Sequence, residues 1–186
     1  ASVSIDDYMT AYKAVEKLIE LGHRRIAAVV PSCSDRSISE LRYNGYLAAL
    51  REHGIDFDSR LLVETGGCFG MAETYDGARR LVESGADFTA LFALSDTTAI
   101  AAMKALEDHG VRIPEDVSVI GIDGLSVSEY VSPTLTTMIQ PTEEMGRESV
   151  RILLDMLEGR EKPRHLLLPA RLRQGASVRP AEAGIN

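Results

Sequence analysis

The sequence predicts an α/β fold in which a parallel β-sheet is flanked by helices. Two observations carry this prediction. Short segments that are apolar throughout alternate with longer segments that have one apolar face, and a glycine follows each of the longer segments. Strands without a polar face must be covered on both sides, and a parallel sheet between two helical layers provides that cover.

Four amphipathic helices are predicted in the first part of the chain. Each carries apolar residues at helical spacing and ends before a glycine, which suits the left-handed backbone that often follows a helix. The segments are DDYMTAYKAVEKLIELG, ELRYNGYLAALREHG, AETYDGARRLVESG and TTAIAAMKALEDHG, and the glycines are Gly22, Gly54, Gly85 and Gly110.

Each of these helices is followed by an apolar segment that predicts a strand, in the order HRRIAAVVP, RLLVETGG, FTALFALSD and VSVIGID. Right-handed crossovers place the carboxyl ends of parallel strands along one edge of the sheet. That edge is where open α/β sheets bind ligands. The residues expected there are 31–36, 66–69, 95–98 and 123–126.

The last third of the chain follows a different pattern. TTMIQP predicts a short strand, and Thr142 to Glu158 predicts a helix with Thr142 as its N-cap and an acidic first turn. HLLLPARLRQGAS is typical of a strand or hairpin arm that is interrupted by Pro169. The final segment, RPAEAGIN, has no apolar period and is expected to fray.

Composition excludes several classes of protein. The chain has 186 residues, a net charge of −8 and a pI of about 5.0, so we expect it to bind nucleic acid poorly by itself. No apolar segment approaches the roughly 20 residues of a membrane-spanning helix, and no secretory signal is visible at Ala1. The two cysteines, Cys33 and Cys68, are expected to be reduced thiols, with a single bridge as the alternative.

The motifs of common enzymes are missing from the sequence. It contains no Gly-x-Ser-x-Gly elbow, no phosphate-binding glycine loop with lysine and no dinucleotide fingerprint. The four histidines have no metal-ligand spacing, so neither a metal nor a cofactor is expected. One enzymatic alternative stays open, a Mg²⁺-dependent phosphotransferase that would use Asp96 and Asp123 as metal ligands.

A binding site without chemistry is the other interpretation of the same edge. An arginine fork, a carboxylate, hydroxyls and one aromatic ring can recognise the hydroxyls and the apolar face of a sugar or nucleoside-like molecule. The candidates are Arg36, Ser39, Arg42, Phe69, Ser95 and Asp123. Three of them also have a structural explanation, since Arg42 could lie on a helix surface, Phe69 in the core and Asp123 in a turn. The neighbouring Asp96 could cap the next helix.

The order of several segments is similar to one known family. VSIDDYMTAYKAVEKLIELGHRRIAAV, RYNGYLAALREHGI, ALFALSDTTAIAAMKALEDHGVRIPEDVSVIGIDG and SPTLTTMIQPTEEMG together resemble the effector-binding domain of the lactose/galactose-repressor (LacI/GalR) family of bacterial transcription regulators. The resemblance runs from Val3 to about Ser177. It implies a periplasmic-binding-protein-like (type I) fold in which a small molecule is held between two lobes.

The resemblance also implies roles for the candidate residues. Arg42 matches the family's arginine that grips effector hydroxyls, and Asp123 matches its effector-contacting aspartate. Phe69 falls where an aromatic ring faces the ligand, and Ser95 stands where asparagine is usual. Arg36 and Ser39 are weaker matches on the same loop and helix start. Because Ser95, Thr98 and Gly124 depart from the usual residues, the resemblance does not identify the effector.

By the same resemblance, residues 1–140 are expected to form the C-terminal lobe and residues 164–178 a strand that returns to it, before a flexible tail at 179–186. The DNA-binding head and most of the N-terminal lobe are expected to be absent. Residues 141–163 would form the helix that normally docks on that lobe. Its apolar side chains are therefore expected to pack elsewhere, or on a second copy of the chain by domain swapping through 141–158. They are Met145, Val150, Ile152, Leu153, Met156 and Leu157.

The family also forms dimers partly through this lobe, and the resemblance implies an interface on one helix and one loop, at Ile100, Met103, Lys104, Leu125, Val127, Tyr130 and Val131. The alternative is that the loop packs on its own domain. The resulting prediction is a cytoplasmic, non-enzymatic fragment of a repressor, which senses a sugar-type effector and reaches operator DNA through the absent head. A periplasmic or transporter-associated sugar-binding protein is the alternative.

Overall fold

The computed structural model describes residues 1–31, 38–66, 70–160 and 162–181. It contains five α-helices in this part of the chain: α1 (Asp7–Glu20), α2 (Ile38–Glu52), α3 (Met71–Glu83), α4 (Asp96–Asp108) and α5 (Thr142–Leu157). The strands are β1 (Ser2–Ile5), β2 (Ile26–Pro31), β3 (Leu62–Thr65), β4 (Ala90–Ala93), β5 (Ser118–Asp123), β6 (Thr136–Ile139), β7 (His165–Leu168) and β8 (Arg171–Arg173).

Six of the strands form the main sheet, in the order β3-β2-β4-β5-β6-β8. All neighbouring pairs from β3 to β6 are parallel, and only β8 at the edge runs antiparallel, with Leu172 opposite Met138. The predicted α/β fold with its parallel sheet is therefore confirmed. The carboxyl ends of β2, β3, β4 and β5 lie at one edge, as the crossover rule requires.

The core has two halves because the central strands are buried on both faces. One half includes Phe92 and Ile120 beneath α1 and α2, while the adjacent residues Leu91 and Val119 belong to the half beneath α3 and α4. Successive strand residues point to opposite faces, so these pairs record the two-sided burial that the apolar segments predict. The four predicted helix-ending glycines all have positive φ, between 66° and 92°.

The C-terminal third is more complex than the predicted single strand or hairpin arm. Its residues form two strands in two different sheets: β8 joins the main sheet, while β7 pairs in parallel with β1 as a separate two-stranded sheet. Pro169 lies between them. The predicted helix is present, but Thr142 is its first residue and Pro141 occupies the N-cap, so the expectation that Thr142 caps it is wrong.

Part of the expected tail is attached to the body. The carbonyl of Arg179 accepts a hydrogen bond from the ring of His23 over 3.0 Å, and the amide of Ala181 donates to the carbonyl of Leu21 over 2.8 Å. These contacts with the residues that follow α1 therefore hold the chain in place as far as Ala181. None of the helices that the structure describes is long and apolar enough to cross a membrane.

Candidate functional site

Arg42 lies at the carboxyl edge of the sheet and connects three parts of the fold. It is only 3% exposed, and three hydrogen bonds hold its guanidinium. Nε donates to Oδ1 of Asp7 over 2.8 Å, and Nη1 donates to the carbonyl of Leu94 over 2.5 Å and to Oδ1 of Asp123 over 3.2 Å. A buried guanidinium with fixed partners is a rigid group, since its position is set by α1, β4 and β5 together.

Asp123 is the last residue of β5, as predicted, and its carboxylate faces the same edge. Oδ1 also accepts a hydrogen bond from Nε2 of Gln140 over 2.7 Å. No described residue donates to Oδ2, and 22% of the side chain is exposed. The carboxylate is thus anchored through one oxygen, and among the described residues the other oxygen has no donor.

The backbone of Asp123 is strained. Its φ of 127° lies in a region that is unfavourable for any residue with a Cβ atom. Such a conformation costs about 1–3 kcal/mol and persists where surrounding contacts impose it. Here the amide of Gln140 donates to the carbonyl of Asp123 over 3.2 Å, while the Gln140 side chain holds its carboxylate. Strained residues of this kind cluster at ligand-binding sites.

Asp7 is a member of this network that the sequence does not reveal. It is the first residue of α1, is 8% exposed and provides the closest anionic partner of Arg42. In the sequence it is one of two adjacent aspartates at a helix start, where the typical role is favourable interaction with the helix dipole. In the structure, Asp6 is the N-cap of α1 and accepts from the amide of Met9, so the carboxylate of Asp7 is available to Arg42.

Ser95 lies at the predicted edge, but its hydroxyl is used within the chain. Ser95 is the N-cap of α4: its Oγ accepts the amide of Thr98 over 3.2 Å, and its own amide donates to Oγ1 of Thr98 over 3.1 Å. This reciprocal pair is a capping box, in which threonine takes the place of the usual glutamate. Ser95 is 3% exposed, so its hydroxyl stabilises the start of α4.

Asp96 does not cap the helix, contrary to the alternative considered for it. It is completely buried, and its oxygens accept the hydroxyl of Thr137 over 2.5 Å and the amide of Leu125 over 2.7 Å. Burial raises the pKa of this carboxyl above its usual value, although both hydrogen bonds favour the charged form. Because both oxygens point into the fold, Asp96 cannot share a cation with Asp123 at the edge.

The other predicted ligand residues lie around Arg42 or outside the described residues. Ser39 is buried on the first turn of α2 and lines a groove of about 220 Å³ together with Tyr43 and Glu64. Arg36 and Phe69 fall in the two segments, 32–37 and 67–69, that lie outside the described residues. The structure therefore brings Arg42, Asp123 and the start of α2 together at one edge.

The predicted interface residues divide into two groups. Leu125, Val127 and Tyr130 are 41%, 49% and 88% exposed, and Lys104 is also exposed and paired with Asp108. Ile100 and Val131 are half-buried against the core beneath α3 and α4. Met103 is 3% exposed and belongs to that core, so within this chain it packs on the sheet, and its expected role in contact between copies stays a prediction. An apolar residue on α4 can satisfy the helical pattern by packing on the sheet, and Met103 does so.

Comparison with known proteins identifies the family of the chain. Residues 15–178 match the family described as "Periplasmic binding protein-like domain". The chain belongs to this family. Two of its sequence relatives are named as transcriptional regulators: "HTH-type transcriptional regulator MalR" of Clostridium butyricum is 35% identical over 178 residues, and "HTH-type transcriptional regulator AscG" of Escherichia coli K12 is 40% identical over 158 residues. The predicted LacI/GalR resemblance is thereby confirmed.

The chain matches only part of the length of these relatives. The alignments cover 92% and 85% of this chain but 50% and 46% of MalR and AscG, so the chain spans about half the length of the curated relatives it matches. These relatives support the regulator interpretation over a transporter-associated sugar-binding protein or a phosphotransferase.

Solved structures give the same fold. The "transcriptional regulator CelR-cellobiose complex" superimposes with a TM-score of 0.86 at 36% identity, covering 95% of this chain and 53% of that one. A LacI family transcriptional regulator from Enterococcus faecium "with bound ribose" also has a TM-score of 0.86, at 35% identity, and covers 97% of this chain and 66% of that one. Both related proteins are thus described with a sugar, cellobiose in one and ribose in the other.

Proposed function

We propose that this chain is the effector-sensing part of a bacterial transcription regulator and that it binds a sugar or a related polyhydroxylated molecule. The observation that carries the proposal is the buried network of Asp7, Arg42 and Asp123 at the carboxyl edge of the sheet. It holds a carboxylate in a fixed position, with Oδ2 directed away from any described donor. A carboxylate fixed in this way accepts two sugar hydroxyls without paying for its own reorganisation.

The chemistry of the edge favours binding over catalysis. Arg42 donates to a carbonyl and two carboxylates, and both oxygens of Asp96 accept hydrogen bonds inside the fold. Neither is placed to transfer a proton or to hold Mg²⁺ beside Asp123. Together with relatives that are named as regulators, this arrangement supports a non-enzymatic role. In this proposal Ser39, Arg36 and Phe69 line the remainder of the ligand site, with Arg42 and Asp123 at its centre.

We assign the parts of the chain accordingly. Residues 1–140 form one lobe of the effector domain, residues 141–163 dock on a second lobe, and residues 164–178 return to the first. The exposed apolar face of α5 supports the docking: Val150, Leu153 and Leu157 are 58%, 55% and 75% exposed, while Ile152 is buried. Covering one such side chain stabilises an assembly by about 1.5–3 kcal/mol, so a face of several is a binding surface.

Whole-protein activity follows from this assignment. Closure of two lobes on the sugar would change the spacing of helix-turn-helix heads on operator DNA, in a regulator that acts in the cytoplasm. A homodimer supplies the two heads, and the exposed Leu125, Val127 and Tyr130 support contact between copies in this lobe. The acidic charge of −8 is consistent with DNA contact through another part of the protein.

Sugar binding can be tested on Asp123 directly. Cellobiose, ribose and a panel of other sugars and nucleosides would be titrated against the chain by saturation-transfer NMR and, in the full-length polypeptide, by calorimetry. Asp123→Asn should weaken binding of the recognised compound about tenfold or more, because a charged hydrogen-bond acceptor becomes neutral. Asp76→Asn, an exposed carboxylate on α3 paired with Arg79, is the matched control and should bind like the wild type. Equal affinity of the Asp123 variant and the wild type for every bound sugar would exclude this site.

A further inference from the structure

The turn that follows β5 is held from both sides by charged groups. On one side, the amide of Leu125 donates to Oδ2 of Asp96 over 2.7 Å. On the other side, Nη2 of Arg173 approaches the carbonyl of Leu125 at 3.4 Å, and its Nη1 donates to Glu129 over 2.6 Å. Ser128 closes the turn by donating its hydroxyl to the Leu125 carbonyl over 2.5 Å. Every polar group of the Leu125 peptide is thereby fixed.

Asp96 reaches the turn from inside the fold. Its second oxygen accepts the hydroxyl of Thr137 on β6, so one carboxylate joins α4, β6 and the turn. Gly121 on β5 makes the space, because a Cβ atom there would lie 2.7 Å from Oδ1 of Asp96. A fully buried carboxylate is costly unless hydrogen bonds compensate it. Here the compensating groups belong to the elements that it joins.

The same turn connects two surfaces. Asp123 at its start faces the candidate ligand site, and the residues after it present an exposed apolar surface, Leu125, Val127 and Tyr130. Only Gly124 separates Asp123 from Leu125, and it has little freedom: its φ is 74°, and a Cβ atom would lie 2.8 Å from the Cα of Ile139. A displacement of Asp123 therefore either moves Leu125 or is resisted by the hydrogen bond from the Leu125 amide to Asp96.

We propose that Asp96 is a positioning residue that couples the carboxylate of Asp123 to the exposed turn of Leu125, Val127 and Tyr130. The coupling rests on the proposed function only in taking Asp123 as the ligand-facing group. It adds a connection between the ligand site and the apolar surface, so that a conformational change at one alters the conformation of the other. Asp96 touches neither ligand nor partner in this arrangement and acts through the Leu125 amide.

A double-mutant cycle on the ligand-free chain tests the coupling. Amide hydrogen exchange would be followed by NMR at Ser128 and Tyr130, whose amides donate to Leu125 and Val127 within the turn. Asp123→Asn should accelerate their exchange about tenfold, a typical coupling between residues of one network. Asp96→Asn should accelerate it similarly. In the double variant, Asp123→Asn should raise the exchange rate by less than about twofold over that of Asp96→Asn alone, because the connection is already weakened.

The outcomes separate coupling from a merely structural role. If the acceleration of exchange in the double variant equals the product of the accelerations in the two single variants, the proposal is overturned. Unchanged exchange in either single variant also overturns it. Amides of Leu91 and Ile120 in the core report whether the fold is intact. If Asp96→Asn does not fold, Leu125→Pro replaces it in the cycle, because it removes the same hydrogen bond from the donor side and the φ of −59° suits proline. Since no sugar is present, a negative result leaves sugar binding untouched, and a failure of sugar binding leaves the coupling standing.

Discussion

Asp7 and Arg42 form a buried ion pair, 2.8 Å from Oδ1 to Nε, in which both side chains are at least nine-tenths buried. The pair joins the first turn of α1 to α2 and thereby fixes the residue that also contacts Asp123. It is the structural support of the candidate ligand site, because a guanidinium held on one side can direct a carboxylate on the other.

Replacing Asp7 with alanine should lower the free energy of unfolding by about 3 kcal/mol or more. The change leaves a buried guanidinium without its nearest anion, and Asp123 at 3.2 Å compensates only in part. Urea denaturation followed by circular dichroism measures the loss. Asp7→Asn, which keeps an acceptor for Nε, should lose less.

The matched control for this prediction is Asp76→Ala, which breaks an exposed ion pair with Arg79 at 3.6 Å. Exposed pairs contribute about 0–1 kcal/mol, so this variant should unfold close to the wild type. An Asp7→Ala variant that is as stable as Asp76→Ala would contradict the assigned role of the buried pair.

The stability of the chain should fall on acidification from pH 7.5 towards pH 5 because of His23. Its ring is 2% exposed and bonds to Thr89 and to the carbonyl of Arg179, and burial lowers its pKa below the ordinary value of 6.5. The unfolded chain therefore binds a proton before the folded chain does. The stabilisation is complete above about pH 6.5 and is lost as the pH falls through that value towards the folded pKa.

Urea titrations at several pH values measure this dependence, whose slope for one proton cannot exceed about 1.4 kcal/mol per pH unit. His23→Gln should flatten the slope, whereas His53→Gln, at a partly exposed position directly after α2, should keep it. Asp58 does not interfere in this range, because hydrogen bonds from Arg60 lower its pKa to about 2. An unchanged slope in His23→Gln would show that another group titrates.

Gly45 allows α1 and α2 to pack closely, and Gly45→Ala should therefore be destabilising. A Cβ atom at this position would lie 2.3 Å from the carbonyl oxygen of Tyr8, so the helices must separate, at a cost of about 1–3 kcal/mol. Gly146→Ala is the control, because that glycine lies in α5 with open space around it and alanine should stabilise the helix by about 1 kcal/mol. Thermal unfolding of both variants should give shifts of opposite sign.

The exposed turn should contribute to self-association, and Tyr130→Asp should weaken it. Tyr130 is 88% exposed beside Leu125 and Val127, and an added carboxylate would have to be buried in any contact there. Light scattering over a concentration series measures the mass. Phe57→Asp, at an exposed apolar residue away from the turn, should associate like the wild type. A wild-type chain that is monomeric at every concentration would contradict the prediction.

The elements that the sequence predicts well are those with a strong local period. Phe92 and Ile120 lie in segments that are apolar throughout, and this property alone requires a sheet that is covered on both faces. The end of β5 at Asp123 was also predictable, because a carboxylate cannot continue a buried strand.

The parts that escaped prediction depend on partners distant in sequence or on competition between nearby groups. Asp7 acquires its role from Arg42, 35 positions away, and nothing in its own segment indicates that distance. Ser95 has the right position for a ligand contact, but the amide of Thr98 in the first turn of α4 donates to its hydroxyl. Met103 fits either a core or an interface, since helical spacing shows which residues share a face and not what covers them.

The small β1–β7 sheet and α5 form one unit, because α5 packs on β1 and buries Ile152. Three short connections join this unit to the main body: Asp6, the pair Gln140–Pro141 and the pair Pro169–Ala170. Two extended residues span about 7 Å, so the unit stays close to the body. A second lobe or a second copy that covers Leu153 and Leu157 would therefore meet α5 and the small sheet together.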